Sequence, residues 1–298
     1  MSQGAVRAAL GVSNIEDMED SLQNLVDEGF SASFVTALQK NLTDLKRYRL
    51  VAVFDCDGTL WKGDLGELFF QHQMQQGWLP SSVETGLWPE ALSGQFPAKA
   101  YDVYEQAVGQ GRAREAFGWL VQWCAGLSEI ELRNRARAYF EDHFKLNIFF
   151  PMFSLVQHLQ KAGVEVWAVS GSNYWVVQEA CKFFGIDPRC VIASRVRVHN
   201  GVLTSQLFDG LIPYADGKVT LIKKYIQKAP FLACGNSYYD QEMLEFSSHL
   251  KLVVNSEAPT AQNFNSEQRL KLFAESVITN ADSANKDSDS GEWFIQQF

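Results

Sequence analysis

Residues 50–59 read Leu-Val-Ala-Val-Phe-Asp-Cys-Asp-Gly-Thr, an apolar run that ends in two carboxylates. Five consecutive apolar residues are typical of a strand that is covered on both faces, as in a parallel sheet. Asp55 and Asp57 are two residues apart, and in extended geometry residues at this spacing point to the same side. Because carboxylates that end an apolar strand are costly without a purpose, this stretch predicts a functional site.

Outward from this run, strand patterns alternate with helix patterns. Further strands are predicted over 164–169, 231–234 and 250–254. Residues 191–198 and 202–207 flank Asn-Gly and are predicted to form a hairpin. The alternation implies βαβ crossovers and a parallel sheet, in which ligands bind beyond the carboxyl ends of the strands.

The chain is predicted to have three parts. Residues 1–48 have helical spacing and form an N-terminal extension, whereas 65–148 form an all-helical insert after the first strand. Residues 49–64 and 149–298 then make up the α/β core. Within that core the polar stretch 280–291 is predicted to be a loose loop, after which Trp293 and Phe294 dock back.

Composition excludes several classes of protein. The 298 residues include 26 Lys and Arg against 35 Asp and Glu, a net charge of −9 that argues against a nucleic-acid partner. No apolar run approaches the ~20 residues of a membrane-spanning helix, and the first residues are too acidic for a signal peptide. The five cysteines are odd in number and lack a CxxC motif, which favours buried, reduced thiols and a cytoplasmic protein.

Polar side chains also follow the other predicted strands. Ser170 and Gly171 follow the second strand, and Asn236 follows the strand over 231–234, with Asp240 four residues later. Lys218 stands at a predicted helix start. Each residue alone has an ordinary explanation as a helix cap, a turn residue or a surface lysine. Together with the paired carboxylates they suit a phosphoryl group: a carboxylate nucleophile, a divalent cation, a lysine and hydroxyl donors.

Four motifs in order resemble the signature of the haloacid dehalogenase (HAD) superfamily: FDCDGTL (54–60), SGS (170–172), GK (217–218) and GNSYYDQEML (235–244). The resemblance implies a Rossmann-like parallel sheet flanked by helices, with an all-helical cap inserted after the first core strand. It implies that Asp55 is the nucleophile that forms an aspartyl-phosphate, and that Asp57 is the general acid and base.

The same resemblance assigns the phosphate-binding residues. Thr59, Ser170 and Gly171 would hold the phosphoryl oxygens, and Lys218 would neutralise the nucleophile and the phosphate.

The Mg2+ ligands implied by the resemblance are Asp55, Asp57, Asn236 and Asp240. Family members usually carry Asp where this chain has Asn236. An amide oxygen can ligate Mg2+, but the site loses one formal charge, so we expect weaker Mg2+ binding rather than inactivity.

The insert indicates the substrate. Its helical pattern and the GNSxxDxxML wording resemble the phosphoserine-phosphatase-like branch, in which a Glu that binds the substrate amine stands where this chain has Asp64. The aromatic residues of this region more loosely resemble those of phosphorylcholine phosphatases, and ring faces attract quaternary ammonium groups. Trp61 and Asp64 are the candidate substrate contacts; the alternative is that the rings are packing residues. The aromatic residues are Trp61, Trp78, Trp88, Tyr101, Tyr104, Trp119 and Trp123.

We therefore expect Mg2+-dependent hydrolysis of a small phosphomonoester, with phosphocholine or phosphoethanolamine slightly ahead of phosphoserine. Two alternatives are a phosphotransferase to an alcohol acceptor and a catalytically inactive binding or regulatory protein, which Asn236 keeps open. The expected partner is a small molecule, with no nucleic acid and no membrane span, and the sequence indicates no oligomeric state.

Overall fold

The computed structural model describes residues 23–83, 86–255, 264–283 and 291–298. Two compact units make up the chain. Unit 1 comprises Met1–Lys62, Ile148–Trp167 and Ile222–Phe298, and unit 2 comprises Gly63–Asn147 and Ala168–Leu221. Most of the predicted insert thus belongs to the same unit as residues 168–221. The assignment of 65–148 as a separate cap stays a prediction.

The strands have the following bounds: β1 (Val51–Phe54), β2 (Glu165–Asn173), β3 (Val191–Ser194), β4 (Val196–His199), β5 (Val202–Leu207), β6 (Leu232–Gly235), β7 (Leu250–Asn255) and β8 (Glu292–Gln297).

The helices have the following bounds: α1 (Ala32–Asp44), α2 (Leu65–Gln75), α3 (Ala100–Gly109), α4 (Ala113–Gln122), α5 (Glu129–Tyr139), α6 (Phe150–Lys161), α7 (Tyr174–Phe183), α8 (Asp216–Tyr225), α9 (Gln241–Phe246) and α10 (Phe264–Ser283). Residues 23–27 are also helical.

The main sheet has six strands in the order β3-β2-β1-β6-β7-β8. Its pairs β2–β3, β1–β6, β6–β7 and β7–β8 are all parallel. All four residues of β1 are buried, which explains why that strand reads as an unbroken apolar run. The predicted α/β class, a parallel sheet flanked by helices, is confirmed.

The predicted hairpin is correct only in its second half. Residues Val191–Ser194 form β3, which is buried and belongs to the main sheet, whereas β4 and β5 form a separate antiparallel pair. Asn200 and Gly201 connect that pair with φ angles of 49° and 77°, the left-handed values that a tight hairpin turn requires. Residues 191–198 contain no glycine or proline that would mark a break, so no sequence signal indicated the change of sheet at Arg195.

The region after β7 differs from the prediction. Helix α10 extends to Ser283, so the predicted loop is wrong for residues 280–283, and residues 284–290 lie outside the described part of the chain. The predicted docking of the aromatic residues is confirmed, because they belong to β8, which pairs with β7. Trp293 packs against Phe273 of α10.

The described part of the N-terminal extension packs against β8 and is hydrogen-bonded to it. Phe34 of α1 packs edge-on against Phe294, with ring centroids 5.4 Å apart, and Phe30 packs against Phe298 at 5.1 Å. Gln296 donates to the carbonyl of Gly29 and accepts from the backbone N–H of Ser31. The apolar face of α1 is therefore buried within unit 1. Residues 1–22 of the predicted extension lie outside the described residues.

Two further predictions concern thiols and membranes. All five cysteines are free, and Cys56, Cys124, Cys181 and Cys234 are buried, as predicted. Among the described residues, no helix combines the length and the apolar character that crossing a membrane requires.

Candidate active site

Asp55 is held at the carboxyl end of β1. Its backbone N–H donates to the carbonyl of Cys234 at 2.9 Å, which extends the pairing of β1 with β6 by one residue. The side chain is 6% exposed, and its Oδ2 accepts a hydrogen bond from the Thr59 hydroxyl at 3.0 Å. The structure thus brings the Asp55 carboxylate and the Thr59 hydroxyl together at the end of β1, and their roles as nucleophile and phosphate-binding group stay predictions.

A tight turn holds the second carboxylate. The indole Nε1 of Trp61 donates to Oδ1 of Asp57 at 2.7 Å, and the Gly58 N–H donates to the Trp61 carbonyl at 2.8 Å. The Trp61 side chain is fully buried. The observed contact gives Trp61 a part in positioning Asp57; the predicted contact of its ring with substrate stays a prediction.

The loop that follows β6 meets this turn at Asn236. Its Oδ1 lies 3.5 Å from the Thr59 hydroxyl, which also binds Asp55. Gly58 has a φ of 76°, and a Cβ at that position would lie 2.0 Å from Nδ2 of Asn236. Only glycine lets the two loops approach this closely without rearrangement.

Asp240 organises the Asn236 loop. Its Oδ2 accepts from the backbone N–H groups of Asn236 and Ser237, at 3.1 and 3.0 Å, and from the Ser237 hydroxyl. The side chain is 1% exposed. These contacts support an orienting role for Asp240, and its role as a direct metal ligand stays a prediction.

Glu267 of α10 contacts the predicted site residue Asn236, and the sequence reasoning missed it. Its Oε1 accepts a hydrogen bond from Nδ2 of Asn236 at 3.2 Å. Burial raises the pKa of Glu267 to about 7, although the hydrogen bond from Asn236 acts in the opposite direction. A single glutamate in a polar helix belongs to no recognisable motif, so no sequence signal marked it.

The oxygen set of unit 1 fits a hard divalent cation such as Mg2+. Asp55 Oδ2 and Asn236 Oδ1 both lie within 3.5 Å of one hydroxyl oxygen, and both side chains are buried. Mg2+ prefers such carboxylate and amide oxygens. Within the described ranges no three His, Cys, Asp or Glu side chains form a metal cluster by themselves.

The other predicted residues belong to unit 2. Ser170, in β2, is fully buried, and its Oγ accepts from the backbone N–H of Ser172 at 3.1 Å. The carbonyl of the next residue, Gly171, accepts from the Ser194 hydroxyl at 2.6 Å. These bonds fix the end of β2, where its register with β3 shifts. The phosphate-binding roles of Ser170 and Gly171 stay predictions.

Lys218 lies in the first turn of α8 and is 4% exposed, which is unusual for lysine. A Cβ on the preceding Gly217 would lie 2.4 Å from the Ile212 carbonyl oxygen, so the chain needs glycine there. The predicted helix start is correct, and the catalytic role of Lys218 stays a prediction.

Asp64 and Glu67 form an acidic and aromatic cluster in unit 2. Asp64 caps α2 by accepting from the Glu67 N–H at 2.7 Å, and its Oδ1 lies 3.4 Å from the Ser172 hydroxyl. The Glu67 carboxylate accepts from the hydroxyl groups of Tyr101 and Tyr104, whose stacked rings have centroids 5.7 Å apart. Burial raises the pKa of both phenols, and the nearby carboxylates raise it further.

The comparisons with known proteins identify the family. A model described as haloacid dehalogenase-like hydrolase matches residues 52–245. The chain belongs to this family. The match covers the Asp55 turn, Ser170, Lys218 and Asn236, whereas Glu267 lies beyond it. The predicted family and enzyme class are thus confirmed for this HAD hydrolase. The comparison with curated proteins finds no match.

Two solved structures agree with this fold, and a third is more distantly similar. A protein of unknown function from Bordetella pertussis Tohama I is 17% identical, with 77% of this chain and 96% of that chain covered and a TM-score of 0.59. A functionally unknown protein from Anaerococcus prevotii DSM 20548 is 14% identical, with 89% and 92% covered and a TM-score of 0.60. A probable phosphoserine phosphatase from Vibrio cholerae is 15% identical, with 79% and 67% covered and a TM-score of 0.46.

Most other aromatic residues of the HAD hydrolase's predicted insert pack against one another. Trp123 contacts Phe70, Phe96, Trp88 and Trp119, and its ring is fully buried. This set fits the packing alternative. Tyr101 and Tyr104 differ from these residues in that their hydroxyl groups bind the Glu67 carboxylate.

Proposed function

We propose that this HAD hydrolase is a Mg2+-dependent phosphatase that acts on a small phosphomonoester through an aspartyl-phosphate. The observation that carries the proposal is the Asp55 and Asp57 pair: one carboxylate is bound to Thr59, and the other is bound to the Trp61 indole. Two carboxylates held in different hydrogen-bonding environments can take different roles, as nucleophile and as acid and base.

In the first half-reaction, a carboxylate oxygen of Asp55 attacks the phosphorus atom and the bond to the ester oxygen breaks. The Asp57 carboxyl gives its proton to the departing alcohol. In the second half-reaction, water attacks the phosphorus of the aspartyl-phosphate and gives a proton to the Asp57 carboxylate. The bond between phosphorus and the Asp55 oxygen breaks, so phosphate is released and Asp55 is restored. The Trp61 hydrogen bond holds the Asp57 carboxylate in one orientation through both steps.

Asp55, Asn236 and the Asp57 backbone carbonyl would hold the Mg2+, whose charge offsets that of the phosphoryl oxygens. By family resemblance, Thr59, Ser170, Gly171 and Lys218 bind those oxygens. Asp240 fixes the backbone that carries Asn236. Asp240 is therefore proposed to act on the cation site through Asn236.

The substrate proposed is an amino-alcohol phosphate such as phosphocholine, phosphoethanolamine or phosphoserine. Support comes from Glu67, whose hydrogen-bond donors Tyr101 and Tyr104 are neutral phenols. These donors leave the negative charge of the carboxylate uncompensated, and tyrosine ring faces also attract cations. Asp64 adds a second carboxylate within the same cluster.

The test is phosphate release from phosphocholine, phosphoethanolamine, phosphoserine and glycerol phosphate, with Mg2+ and with EDTA. We expect release that EDTA stops and Asp55→Asn abolishes. The matched control is Asp44→Asn, an exposed aspartate of α1, which should keep wild-type activity. Retained activity in folded Asp55→Asn would overturn the assignment of the nucleophile.

The ranking of the four esters tests the substrate separately. Faster turnover of glycerol phosphate than of every amino-alcohol ester would contradict the role of the Glu67 cluster. An added acceptor alcohol distinguishes hydrolysis from transfer, because a phosphotransferase would form a new phosphate ester at the expense of free phosphate.

A further inference from the structure

Glu267 is the one residue outside the family-matched region 52–245 that the described contacts connect to Asn236. It lies in the first turn of α10, the helix between β7 and β8 in the chain. The mechanism proposed above assigns it no part.

The hydrogen bond determines which way the Asn236 amide faces. An ionised carboxylate only accepts hydrogen bonds, so Glu267 must face the amide nitrogen of Asn236, as observed at 3.2 Å. The amide oxygen then faces the opposite way, 3.5 Å from the Thr59 hydroxyl that binds Asp55. A flipped amide would place two acceptor oxygens together at Glu267 and a nitrogen at the predicted cation site.

Gly58 reinforces this arrangement. The space for a Cβ on Gly58 is taken by Nδ2 of Asn236, 2.0 Å away. The amide nitrogen is thus enclosed between the Gly58 backbone and Glu267. Both neighbours leave the oxygen as the group presented to Thr59 and Asp55.

The charge of Glu267 is a second reason for it to lie beside Asn236. Where family members usually carry Asp, this chain has the neutral Asn236, and the structure adds a carboxylate that is hydrogen-bonded to that amide. Groups that bind a metal ligand from behind tune the metal affinity, typically by 10- to 100-fold.

We propose that Glu267 is a positioning residue: it holds the Asn236 side-chain oxygen toward the cation and supplies, one side chain away, the negative charge that the Asn lacks. This inference rests on the proposed Mg2+ requirement. It extends the functional part of the chain to α10.

The experiment is calorimetric titration of the full chain with Mg2+ alone, at pH 8. We expect Glu267→Gln and Glu267→Ala to raise the Mg2+ Kd by about 10-fold or more, with the larger effect for Ala, which also removes the acceptor. The matched control is Glu275→Gln, an exposed glutamate of the same helix, which should leave the Kd unchanged. Circular dichroism establishes that each variant is folded.

Measurements in the Asn236→Asp variant distinguish a positioning role of Glu267 from a general structural role. In Asn236→Asp the side chain at 236 is itself negative, so Glu267 becomes a like charge beside it. We expect Glu267→Gln to weaken Mg2+ binding much less in that background than in the wild type, because the carboxylate at position 236 carries the charge itself and presents an oxygen in either orientation. A merely structural glutamate would weaken binding equally in both.

The outcomes are distinct. A wild type that does not bind Mg2+ would overturn the proposed metal requirement together with this inference. A wild type that binds Mg2+, with folded Glu267→Gln and Glu267→Ala variants within twofold of its Kd, would overturn the role of Glu267 and leave the proposed function intact.

Discussion

The indole Nε1 of Trp61 donates a 2.7 Å hydrogen bond to Oδ1 of Asp57, four residues earlier in the same turn. An indole N–H is a donor only, so this bond fixes Oδ1 as the acceptor and sets the plane of the carboxyl group. The acid and base of the proposed reaction is therefore positioned by a buried side chain of its own loop. The first prediction follows from this bond.

Replacing Trp61 by Phe keeps a large apolar ring and removes the donor. We expect kcat for phosphate release to fall by about 10²-fold, because small displacements of a reacting group have effects of that size. The control is Trp88→Phe, because the indole of Trp88 also donates a hydrogen bond, to the carbonyl of Leu92 at 2.8 Å. Equal losses in the two variants would show that the effect is not specific to Asp57.

Gly58→Ala should damage the site and the fold together. Its φ of 76° disfavours a Cβ, and the added atom would meet the Asn236 amide at 2.0 Å. We expect a loss of about 1–3 kcal/mol in the free energy of unfolding, measured in urea, together with weaker Mg2+ binding. Gly77→Ala is the matched control, since Gly77 has a φ of 64° with no atom within 4 Å of the added Cβ. Equal losses of stability in the two variants, with normal Mg2+ binding in both, would show that the close approach of Asn236 to Gly58 is not needed for the fold or for Mg2+ binding.

Glu67→Gln should change specificity more than chemistry. The substitution removes the charge that Tyr101 and Tyr104 hold in place. We expect kcat/KM for phosphocholine to fall about 10-fold, with little change for glycerol phosphate, since a hydrogen-bonded charged group contributes about 1.5–3 kcal/mol. The control is Glu105→Gln, an exposed glutamate of α3. An equal fall in kcat/KM for both esters would show that Glu67 has a structural role and does not recognise a cation.

His158 of α6 should make stability depend on pH. It is 3% exposed, and burial, with a smaller effect of Lys161, lowers its pKa to about 4. Between pH 6.5 and 4 the unfolded chain binds a proton at this residue that the folded protein does not bind. The free energy of unfolding should therefore fall by about 3 kcal/mol as the pH falls through this window.

The measurement is urea unfolding at several pH values, compared between wild type and His158→Leu. The difference between the two free energies of unfolding should be constant above pH 6.5 and change steeply below it. His199→Leu, at an exposed histidine of the β4–β5 hairpin, should follow the wild type throughout. A His158→Leu curve parallel to that of the wild type would contradict the pKa shift.

The sequence predicted the strands of the sheet best where they are buried on both faces. Val51–Phe54 and Leu232–Gly235 read as apolar runs because neighbouring strands and helices cover them completely. The polar residues that follow such runs were recognisable for the same reason, since Asp55 and Asn236 interrupt an otherwise apolar pattern.

Other features depend on contacts between distant segments and so left no local pattern. Strand β8 is an outer strand with only one buried residue, Gln296, and it follows a polar stretch. Glu267 gains its importance only from the approach of α10 to Asn236. The change of sheet between β3 and β4 is likewise decided by pairing partners and not by composition.

The pairing of α1 with β8 has a consequence for biosynthesis. Residues 291–298 are translated after the rest of unit 1, yet their rings cover Phe30 and Phe34 near its beginning. During translation this side of α1 is exposed while the ribosome completes the other strands. Such transient apolar surfaces promote aggregation and are bound by chaperones. We therefore expect the nascent chain to depend on chaperones until β8 has emerged.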